Sequence, residues 1–323
     1  MRPFEYERPG DGPGAVATMA RPGAMFLAGG TNLVDLMKLG VTSPELLVDI
    51  TGLPYHGIET GEGVRIGALV SNTELARDET IRRRYPVVSE AILAGASGQL
   101  RNRATVAGNL LQRTRCRYFQ DVTKACNKRS PGTGCDARDG EHHDLAILGA
   151  SPQCVATNPS DLAVALSIVD ASVHYLGPHG PAAISVHDLY RRPGDRPDLD
   201  TNLPPGSLIT GVVLPECPIA AGSRYRKVRD RASFAFAAGS VAAALDVRDG
   251  IVHDVRLAWG AVAHLPWRAW AAERALRHGP ATPEHYARAA EEELAFAKPL
   301  RDNAYKIPLL RNLTVELLRE LTP

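Results

Sequence analysis

The stretch Ala24-Met25-Phe26-Leu27-Ala28-Gly29-Gly30-Thr31-Asn32-Leu33 sets the fold class that we expect for this chain. Its first five residues are apolar, which predicts a short buried strand, and the glycine pair separates them from residues 33–39, whose apolar spacing is helical. Apolar runs at 46–50 and 64–68 predict further strands, and Asn72 begins a capped helix. The order strand, turn, helix, strand favours an α/β or α+β fold.

The glycines of this turn are suited to binding an anion. Glycine permits positive φ and lets backbone N–H groups come close to a phosphate, while the start of the following helix carries a partial positive charge. Thr31 or Asn32 would cap that helix or donate to a phosphate oxygen. The turn has neither the G-x-G-x-x-G fingerprint nor a Walker loop, so an ordinary capped turn is the alternative.

A second corner with small residues follows later in the chain. Ala104, Ala107 and Gly108 permit close backbone approach, and Thr105 and Asn109 place polar side chains beside them. A dinucleotide is too long to rest on one turn, so two such corners suit it. A tight corner between a helix and a strand is the alternative.

Composition and charge exclude several classes of protein. Of the 323 residues, 44% are hydrophobic and 23% are charged, which is typical of a globular protein and not of a disordered chain. The length predicts about two domains. The formal net charge of +1 gives no electrostatic reason to expect a nucleic-acid or anionic-membrane partner.

The sequence shows no recognisable targeting or membrane segment. Its start has no apolar core of a secretory signal, and no stretch approaches the roughly 18 apolar residues of a membrane span. We therefore expect a cytoplasmic protein, or a periplasmic one that an exported partner subunit carries across the membrane.

Four of the five cysteines lie within one span of 39 residues, namely Cys116, Cys126, Cys135 and Cys154. Cys217 stands alone. The segment 112–152 has no sustained helix or strand pattern, so something else must order it. Intervals of nine, eight and eighteen residues differ from the paired knuckles of structural zinc sites, whereas four thiolates can hold a [4Fe–4S] cluster. The residues alone leave an iron–sulfur cluster, zinc and four unliganded thiols open.

Basic side chains surround these cysteines, namely Arg113, Arg115, Arg117, Lys124, Lys128 and Arg129. Cations favour the thiolate form, so we expect them to lower the pKa of the thiols and to offset the negative charge of a cluster. The adjacent His142 and His143 are more typical of solvated side chains than of metal ligands.

A further polar segment is Lys227-Val228-Arg229-Asp230-Arg231-Ala232-Ser233-Phe234. A cation here can counter a phosphate or an electron-rich flavin, whereas a solvated strand edge is the alternative. The chain has no Ser–His–Asp pattern and no H-E-x-x-H motif, so we predict no acid or base catalyst. This suits a protein that moves electrons.

Taken together, four segments resemble the FAD-binding subunits of the molybdenum hydroxylases, the xanthine dehydrogenase family. They are the glycine turn 26–33, the run Arg101-Asn102-x-Ala104-Thr105-x-Ala107-Gly108-Asn109-Leu110, Pro159-Ser160-Asp161, and 227–234. The cysteine segment, with Cys116-x-Tyr118-Phe119 and Cys126-Asn127-Lys128-Arg129, is similar to the [4Fe–4S]-binding insertion in flavin subunits of periplasmic aldehyde oxidoreductases.

The resemblance implies an α+β architecture in three parts. Residues 1–56 would form an N-terminal FAD-binding subdomain, and residues 57–218 a second one that carries the cysteine insertion at about 112–156. Together they would form a two-part, PCMH-like FAD-binding domain. Residues 219–323 would form a C-terminal α+β domain.

The resemblance also assigns cofactor contacts and no catalytic residue. It places the FAD pyrophosphate on Ala28, Gly29, Gly30, Thr31, Asn32 and Leu33, and it counts Phe26 and Leu27 among the cofactor-binding residues. Thr105, Gly108 and Asn109 would form the second corner. Asp161 would contact a ribitol or ribose hydroxyl, and Lys227 the isoalloxazine edge. Ligands of the [4Fe–4S] cluster would be Cys116, Cys126, Cys135 and Cys154.

The function implied is electron transfer within a heterotrimeric molybdenum enzyme, an aldehyde oxidoreductase. A subunit with the molybdenum cofactor would oxidise the aldehyde, and a [2Fe–2S] subunit would pass electrons to FAD on this chain. A small molecule or a protein would accept them. Alternatives are a stand-alone flavoprotein oxidase with a structural zinc loop, and a non-enzymatic interaction module held together by zinc.

Overall fold

The computed structural model describes all 323 residues, which form three sheets and thirteen α-helices. This mixture of helices and separate sheets confirms the α+β class expected from the sequence. No helix combines the length and the apolar composition that crossing a bilayer requires.

The N-terminal part is a small parallel sheet with strand order β1-β3-β2. Its elements are β1 (Glu5–Glu7), α1 (Gly12–Thr18), β2 (Ala24–Leu27), α2 (Leu33–Lys38) and β3 (Leu46–Asp49). Parallel neighbours cannot be joined by a tight turn, so α2 serves as the crossover between β2 and β3. The structure thus has the strand, turn, helix and strand that the opening stretch predicts.

The middle part is built on an antiparallel sheet with strand order β4-β5-β8-β6-β7. Its strands are β4 (Ile58–Thr60), β5 (Val64–Gly67), β6 (Ser172–Gly177), β7 (Gly180–Ser185) and β8 (Leu208–Leu214). Its helices are α3 (Asn72–Arg77), α4 (Glu79–Arg84), α5 (Pro86–Ala94), α6 (Gly98–Arg101), α7 (Val106–Leu110), α8 (Arg117–Gln120), α9 (Asp161–Ile168) and α10 (Val186–Leu189). The start of α3 is capped as predicted, by a capping box in which Ser71 is the N-cap.

The C-terminal part is an antiparallel sheet, with order β12-β11-β10-β9, covered by three helices. Its elements are β9 (Arg224–Val228), β10 (Gly239–Arg248), β11 (Ile251–Gly260), β12 (Trp267–Arg268), α11 (Trp270–Leu276), α12 (Pro283–Leu294) and α13 (Lys306–Leu321). Trp267 pairs with Trp259 at the sheet edge, and α11 begins three residues later at Trp270.

Helix α9 joins the middle and C-terminal parts through one apolar core. Its residues 162–168 are all buried, as expected for a helix that is apolar on every face. One side contacts the helices of the middle part, and the other contacts Ala242 and Ala258 of the C-terminal sheet. Burying one large aliphatic side chain contributes about 1.5–3 kcal/mol, so this shared core fixes the two parts relative to each other.

The segment between α7 and α9 has little regular structure, as predicted. It contains only the four-residue helix α8 and a single 3-10 turn at Asp136–Arg138. Ile147 and Leu148 nevertheless join the C-terminal core, and their backbone N–H groups donate to the carbonyl of Val262 at 2.9 and 3.0 Å. The segment is therefore held by tertiary contacts and not by its own secondary structure.

A buried charge cluster fastens the C-terminal sheet to the end of α9. Glu273 in α11 is fully buried, pairs with Arg268, and accepts the backbone N–H of Leu257 at 2.8 Å. Arg268 also donates to Asp170, immediately after α9, at 3.1 Å. Removing one member of such a group leaves a buried charge without compensation.

Glu273→Ala should therefore destabilise the protein by about 3–5 kcal/mol. Thermal and denaturant unfolding of the purified protein measure this loss. Glu292→Ala is the control, because Glu292 is exposed on α12, and such a surface change is expected to stay within about 0.5 kcal/mol. Equal melting temperatures for the two variants would contradict the assignment.

Candidate functional site

A cleft of about 670 Å³ opens between residues of the N-terminal, middle and C-terminal parts. Pockets of roughly 300–1,000 Å³ hold small molecules and cofactors. Residues from all four segments that carry the resemblance line it. The site residues on its wall are Thr31, Asn32, Gly108, Asn109, Asp161, Lys227 and Cys116. The remaining residues of the glycine turn, and Thr105, do not line it.

The glycine turn is pressed against the second corner of the cleft. A Cβ on Gly29 would lie 1.9 Å from the carbonyl oxygen of Arg103, so only glycine fits there. Gly30 has a φ of +74°, in the left-handed region that favours glycine. Phe26 and Ala28 pack on the core of the N-terminal sheet. The two corners assigned to one ligand are thus adjacent.

Asn32 connects the glycine turn to the start of the cysteine segment. It stands at the N-cap of α2 but makes no side-chain cap bond, so the expected capping by Asn32 is wrong. Its Oδ1 instead accepts the backbone N–H of Arg113 at 2.9 Å. Thr31 lines the cleft beside it.

The second corner is held by an N-cap and by backbone bonds to the sheet. Thr105 Oγ1 accepts the N–H of Gly108 at 3.2 Å, which caps α7. The Ala107 N–H donates to the carbonyl of Ala68 at 3.0 Å. Asn109 Oδ1 accepts the hydroxyl of Ser160 at 2.7 Å, so α7 and the start of α9 are joined at the cleft wall.

Asp161 and Lys227 form an ion pair in the cleft wall. The Lys227 Nζ lies 2.7 Å from Asp161 Oδ2, and the lysine side chain is only 3% exposed. Tyr225 donates its hydroxyl to Asp161 Oδ1 at 2.6 Å. Burial and the neighbouring carboxylate raise the pKa of Tyr225 well above its ordinary value, so the phenol keeps its proton. The carboxylate and the ammonium assigned to different parts of one ligand therefore hold each other in place.

We call residues 112–156 the cysteine loop; the fold brings its four cysteines into one neighbourhood. Cys126 and Cys135 pair across an antiparallel bridge. Cys116 packs against the apolar cluster that contains Cys126, and Cys116 and Cys135 both pack against a second apolar cluster. Cys154 is buried and within electrostatic reach of Cys116 and Cys135. No three His, Cys, Asp or Glu side chains are grouped so as to hold a metal ion, and the ligand assignment stays a prediction.

Burial controls the protonation of these thiols. It raises the pKa of Cys116 to about 11 and that of Cys154 to about 12, and it also raises the pKa of Cys135. Lys128 lowers the pKa of Cys154, but burial outweighs it. The expectation that basic neighbours lower the pKa of the thiols is therefore wrong as a net effect. Binding of a cation would have to displace these protons.

The basic residues of the cysteine loop mainly hold its backbone. Arg129 donates to two carbonyls of α8 at 2.7 and 2.9 Å. Lys128 is almost fully buried, donates to the carbonyl of Pro197 at 2.7 Å, and pairs with Asp200. Arg113 donates to the same carboxylate at 2.7 Å. Buried backbone and charged groups need such partners, so these cations order a loop without secondary structure.

The adjacent histidines of the cysteine loop lie in different environments. His142 is buried and its Nε2 lies 2.8 Å from the carbonyl of Arg138, so the expectation that it is solvated is wrong. His143 is exposed, as expected, and stacks on Tyr305.

His264 lies beside Cys154, although no sequence pattern around it indicates a functional role. Its Nε2 lies 3.3 Å from Cys154 Sγ, and burial lowers its pKa to about 3, so the imidazole is neutral. The adjacent Ala263 carbonyl accepts the N–H of Asn158 at 2.8 Å. His264 comes from the C-terminal part, 110 residues after Cys154, so only the tertiary pairing of these segments reveals it.

Arg115 links the cysteine loop to the cleft. Its guanidinium lies in the cleft wall, 4.8 Å from the ring centroid of Phe236. Burial lowers its pKa to about 10, so it stays charged at neutral pH. Its neighbour Cys116 also lines the cleft. The cysteine loop is therefore part of the wall and not a separate appendage.

Two family descriptions match the chain in succession. Residues 2–217 match the FAD binding domain in molybdopterin dehydrogenase, and residues 223–321 match the CO dehydrogenase flavoprotein C-terminal domain.

Individual proteins match over long stretches as well. The chain is 48% identical over 325 aligned positions to the aldehyde oxidoreductase FAD-binding subunit PaoB of Escherichia coli (strain K12), with 99% of this chain and 98% of the relative covered. It is 27% identical to the glyceraldehyde dehydrogenase medium chain of Sulfolobus acidocaldarius, with 77% and 71% covered. The solved carbon monoxide dehydrogenase of Hydrogenophaga pseudoflava that lacks the Mo-pyranopterin moiety matches with a TM-score of 0.76 and 25% identity, covering 99% and 98%.

Proposed function

Since the chain belongs to the FAD-binding subunits of the molybdenum hydroxylase family, we propose that it is the FAD- and [4Fe–4S]-containing electron-transfer subunit of a heterotrimeric aldehyde oxidoreductase. It would accept electrons from a [2Fe–2S] subunit and pass them through FAD to a small-molecule or protein acceptor. One observation supports this proposal most directly. Arg115 and Cys116 of the cysteine loop line the same cleft as Asp161 and Lys227.

The cleft fits FAD in size and in the chemistry of its wall. Thr31 and Asn32 of the glycine turn line the cleft and would hold the pyrophosphate, while the positive φ of Gly30 sets the course of the backbone before them. Gly108 and Asn109 would hold the second corner. Bound FAD supplies two-electron and one-electron chemistry at its ring, and the protein contributes position and electrostatics.

The polar residues of the wall hold one another in position. Asp161 Oδ1 and Oδ2 are occupied by Tyr225 and Lys227, and the latter also donates to the carbonyl of Ala94 at 3.3 Å. Asp161 would therefore offer its remaining lone pairs to a ligand hydroxyl. Lys227 would supply a positive charge that is held by its ion pair and cannot swing away.

The four cysteines fit a [4Fe–4S] cluster in number and surroundings. Such a cluster takes four thiolates on four different irons, so its ligands surround a volume and need not converge on one point. Cys116, Cys126, Cys135 and Cys154 are all free thiols that approach one another inside the loop. Lys128 places a positive charge near Cys154. Bound there, the cluster would supply one-electron chemistry beside the flavin cleft.

We infer the substrate class from the relative. The Escherichia coli relative is named as a subunit of an aldehyde oxidoreductase, and the sequence of this chain has neither a Ser–His–Asp pattern nor an H-E-x-x-H motif. We propose that the aldehyde is oxidised to the carboxylic acid on a separate subunit that carries the molybdenum cofactor.

The turn at Gly30 offers a test of FAD binding. Gly30→Ala should weaken FAD binding at least about tenfold, because a side chain moves the turn out of positive φ and shifts its N–H groups. Titration of the flavin-depleted complex with FAD measures this. Gly40→Ala is a matched control, since Gly40 has a φ of +72° against +74° at Gly30 but lies at the other end of α2 with open space around it. Equal losses in both variants would argue against this turn as the site.

The cluster is tested by removing one of its proposed ligands. Cys126→Ala should lower the iron content and the visible absorbance of the purified complex, because a Cys₄ site loses one thiolate. Cys217→Ala is the control, since Cys217 is a free cysteine outside the loop. Iron and acid-labile sulfide are measured per FAD. Unchanged iron in Cys126→Ala, or zinc in place of iron in the wild type, would refute the assignment.

The division of labour is tested by comparing the chain alone with the assembled complex. We expect the complex to oxidise an aromatic or aliphatic aldehyde and the isolated chain to show no turnover, because the chemistry at the substrate belongs to another subunit. The assay follows reduction of an artificial acceptor, with flavin content matched between samples. Turnover by the isolated chain would instead support a stand-alone flavoprotein oxidase.

A further inference from the structure

The imidazole of His264 meets one of the proposed cluster ligands from outside the cysteine loop. Its Nε2 lies 3.3 Å from Cys154 Sγ, within the range of a hydrogen bond to sulfur. It is the one side-chain hydrogen bond that Cys154 Sγ makes. Both residues are buried, with His264 9% exposed and Cys154 4% exposed. A hydrogen bond in such a position is shielded from competing water.

The fold holds His264 in this position through paired backbones. The segment that carries it follows β11, and the carbonyls of Val262 and Ala263 accept N–H groups of Ile147, Leu148 and Asn158. These bonds lie on both sides of Cys154 in the sequence. The ring is therefore brought to the sulfur by the C-terminal part, which does not contribute a cysteine to the loop.

The direction of the hydrogen bond follows from the chemistry of a ligated cysteine. A thiolate bound to iron has no proton, so the hydrogen between the two groups must come from Nε2 of the imidazole. In the tautomer that carries its proton on Nε2, the other ring nitrogen, Nδ1, is an acceptor. Nδ1 is buried and has no hydrogen-bond partner among the protein atoms.

A small polar void next to His264 can supply that partner. Its volume is about 20 Å³, which is enough for one water molecule. His264 lines it together with Thr114, Lys128, Asn158, Tyr190 and Asp200. A water held by these groups can donate to Nδ1, which fixes the tautomer with the proton on Nε2.

We propose that His264 donates a hydrogen bond to the Cys154 thiolate and thereby raises the reduction potential of the [4Fe–4S] cluster. The inference rests on the proposed function, since it requires the cluster. Reduction adds negative charge that is shared with the ligand sulfurs, so a hydrogen bond to one of them stabilises the reduced state more than the oxidised state. His264 is a positioning residue, because it acts on the cluster through Cys154.

The test measures a potential, which a purely structural role would not move in a defined direction. The complex is prepared as wild type, His264→Leu and His264→Gln, and the iron–sulfur signal that Cys126→Ala removes is followed by electron paramagnetic resonance during a redox titration. His264→Leu should favour the oxidised cluster about tenfold, which for a one-electron couple lowers the midpoint potential by about 59 mV. His264→Gln should stay close to wild type, because its amide N–H can replace Nε2–H. Exposed His253, changed to Leu, is the control and should leave the potential unchanged.

The possible outcomes distinguish failure of this inference from failure of the proposed [4Fe–4S] cluster. A wild-type complex without the iron–sulfur signal overturns the proposed cluster, and this inference with it. A full signal with the same potential in His264→Leu overturns this inference alone, and so does an equal shift in His264→Leu and His264→Gln. If both variants lose iron equally while FAD is retained, the ring acts through its volume and the hydrogen bond is refuted. Loss of iron in His264→Leu with retention in His264→Gln supports it.

Discussion

The buried ion pair between Asp161 and Lys227 is the contact on which the cleft depends. Asp161 begins α9 and Lys227 lies in β9, so the 2.7 Å contact joins elements that are 66 residues apart. Their charges would be costly to bury separately, and the hydroxyl of Tyr225 satisfies a second carboxylate oxygen. The carboxylate also lies at the helix N-terminus, where the backbone dipoles favour negative charge. The pair thus fixes α9 against the C-terminal sheet and places both charges on the cleft wall.

The cysteine loop is a long segment with little helix and no strand, so its backbone N–H and C=O groups need other hydrogen-bond partners. Side chains supply many of them. Arg129 binds two carbonyls of α8, Asn127 Oδ1 accepts the N–H groups of Gly132 and Gly134 at 3.1 and 2.8 Å, and Asn303 from the C-terminal part donates to the carbonyl of Leu145 at 3.1 Å. Side-chain hydrogen bonds therefore hold the backbone of the loop and help to bring its four thiols together.

Structural features that depend on a local sequence pattern could be predicted from the sequence. The strand β2, the helix α2, the capped start of α3 and the irregular cysteine segment all follow from apolar spacing, capping residues or their absence. Features that depend on contacts between segments far apart in the sequence could not be predicted in this way. Thr105 is an example, because the same local pattern of a hydroxyl near a glycine occurs both at helix N-caps and at ligand sites. In the structure Thr105 caps α7. Its contact with the cofactor stays a prediction. His264 has no local signal at all, since its role depends on pairing with residues 147–158.

The base of the cysteine loop explains how a long irregular segment can lie beside the cleft without disturbing it. Asn109 and Ser160 lie just outside its two ends, and the hydrogen bond of 2.7 Å between their side chains holds those ends together at the cleft wall. Closing a loop costs entropy that grows only slowly with its length, so a long insertion between fixed ends is tolerated. The same closure forces the first residues of the loop, including Arg115 and Cys116, to lie along the cleft. The position of Cys116 on the cleft wall is therefore a consequence of where the loop begins and ends, and the distant His264 completes the surroundings of Cys154.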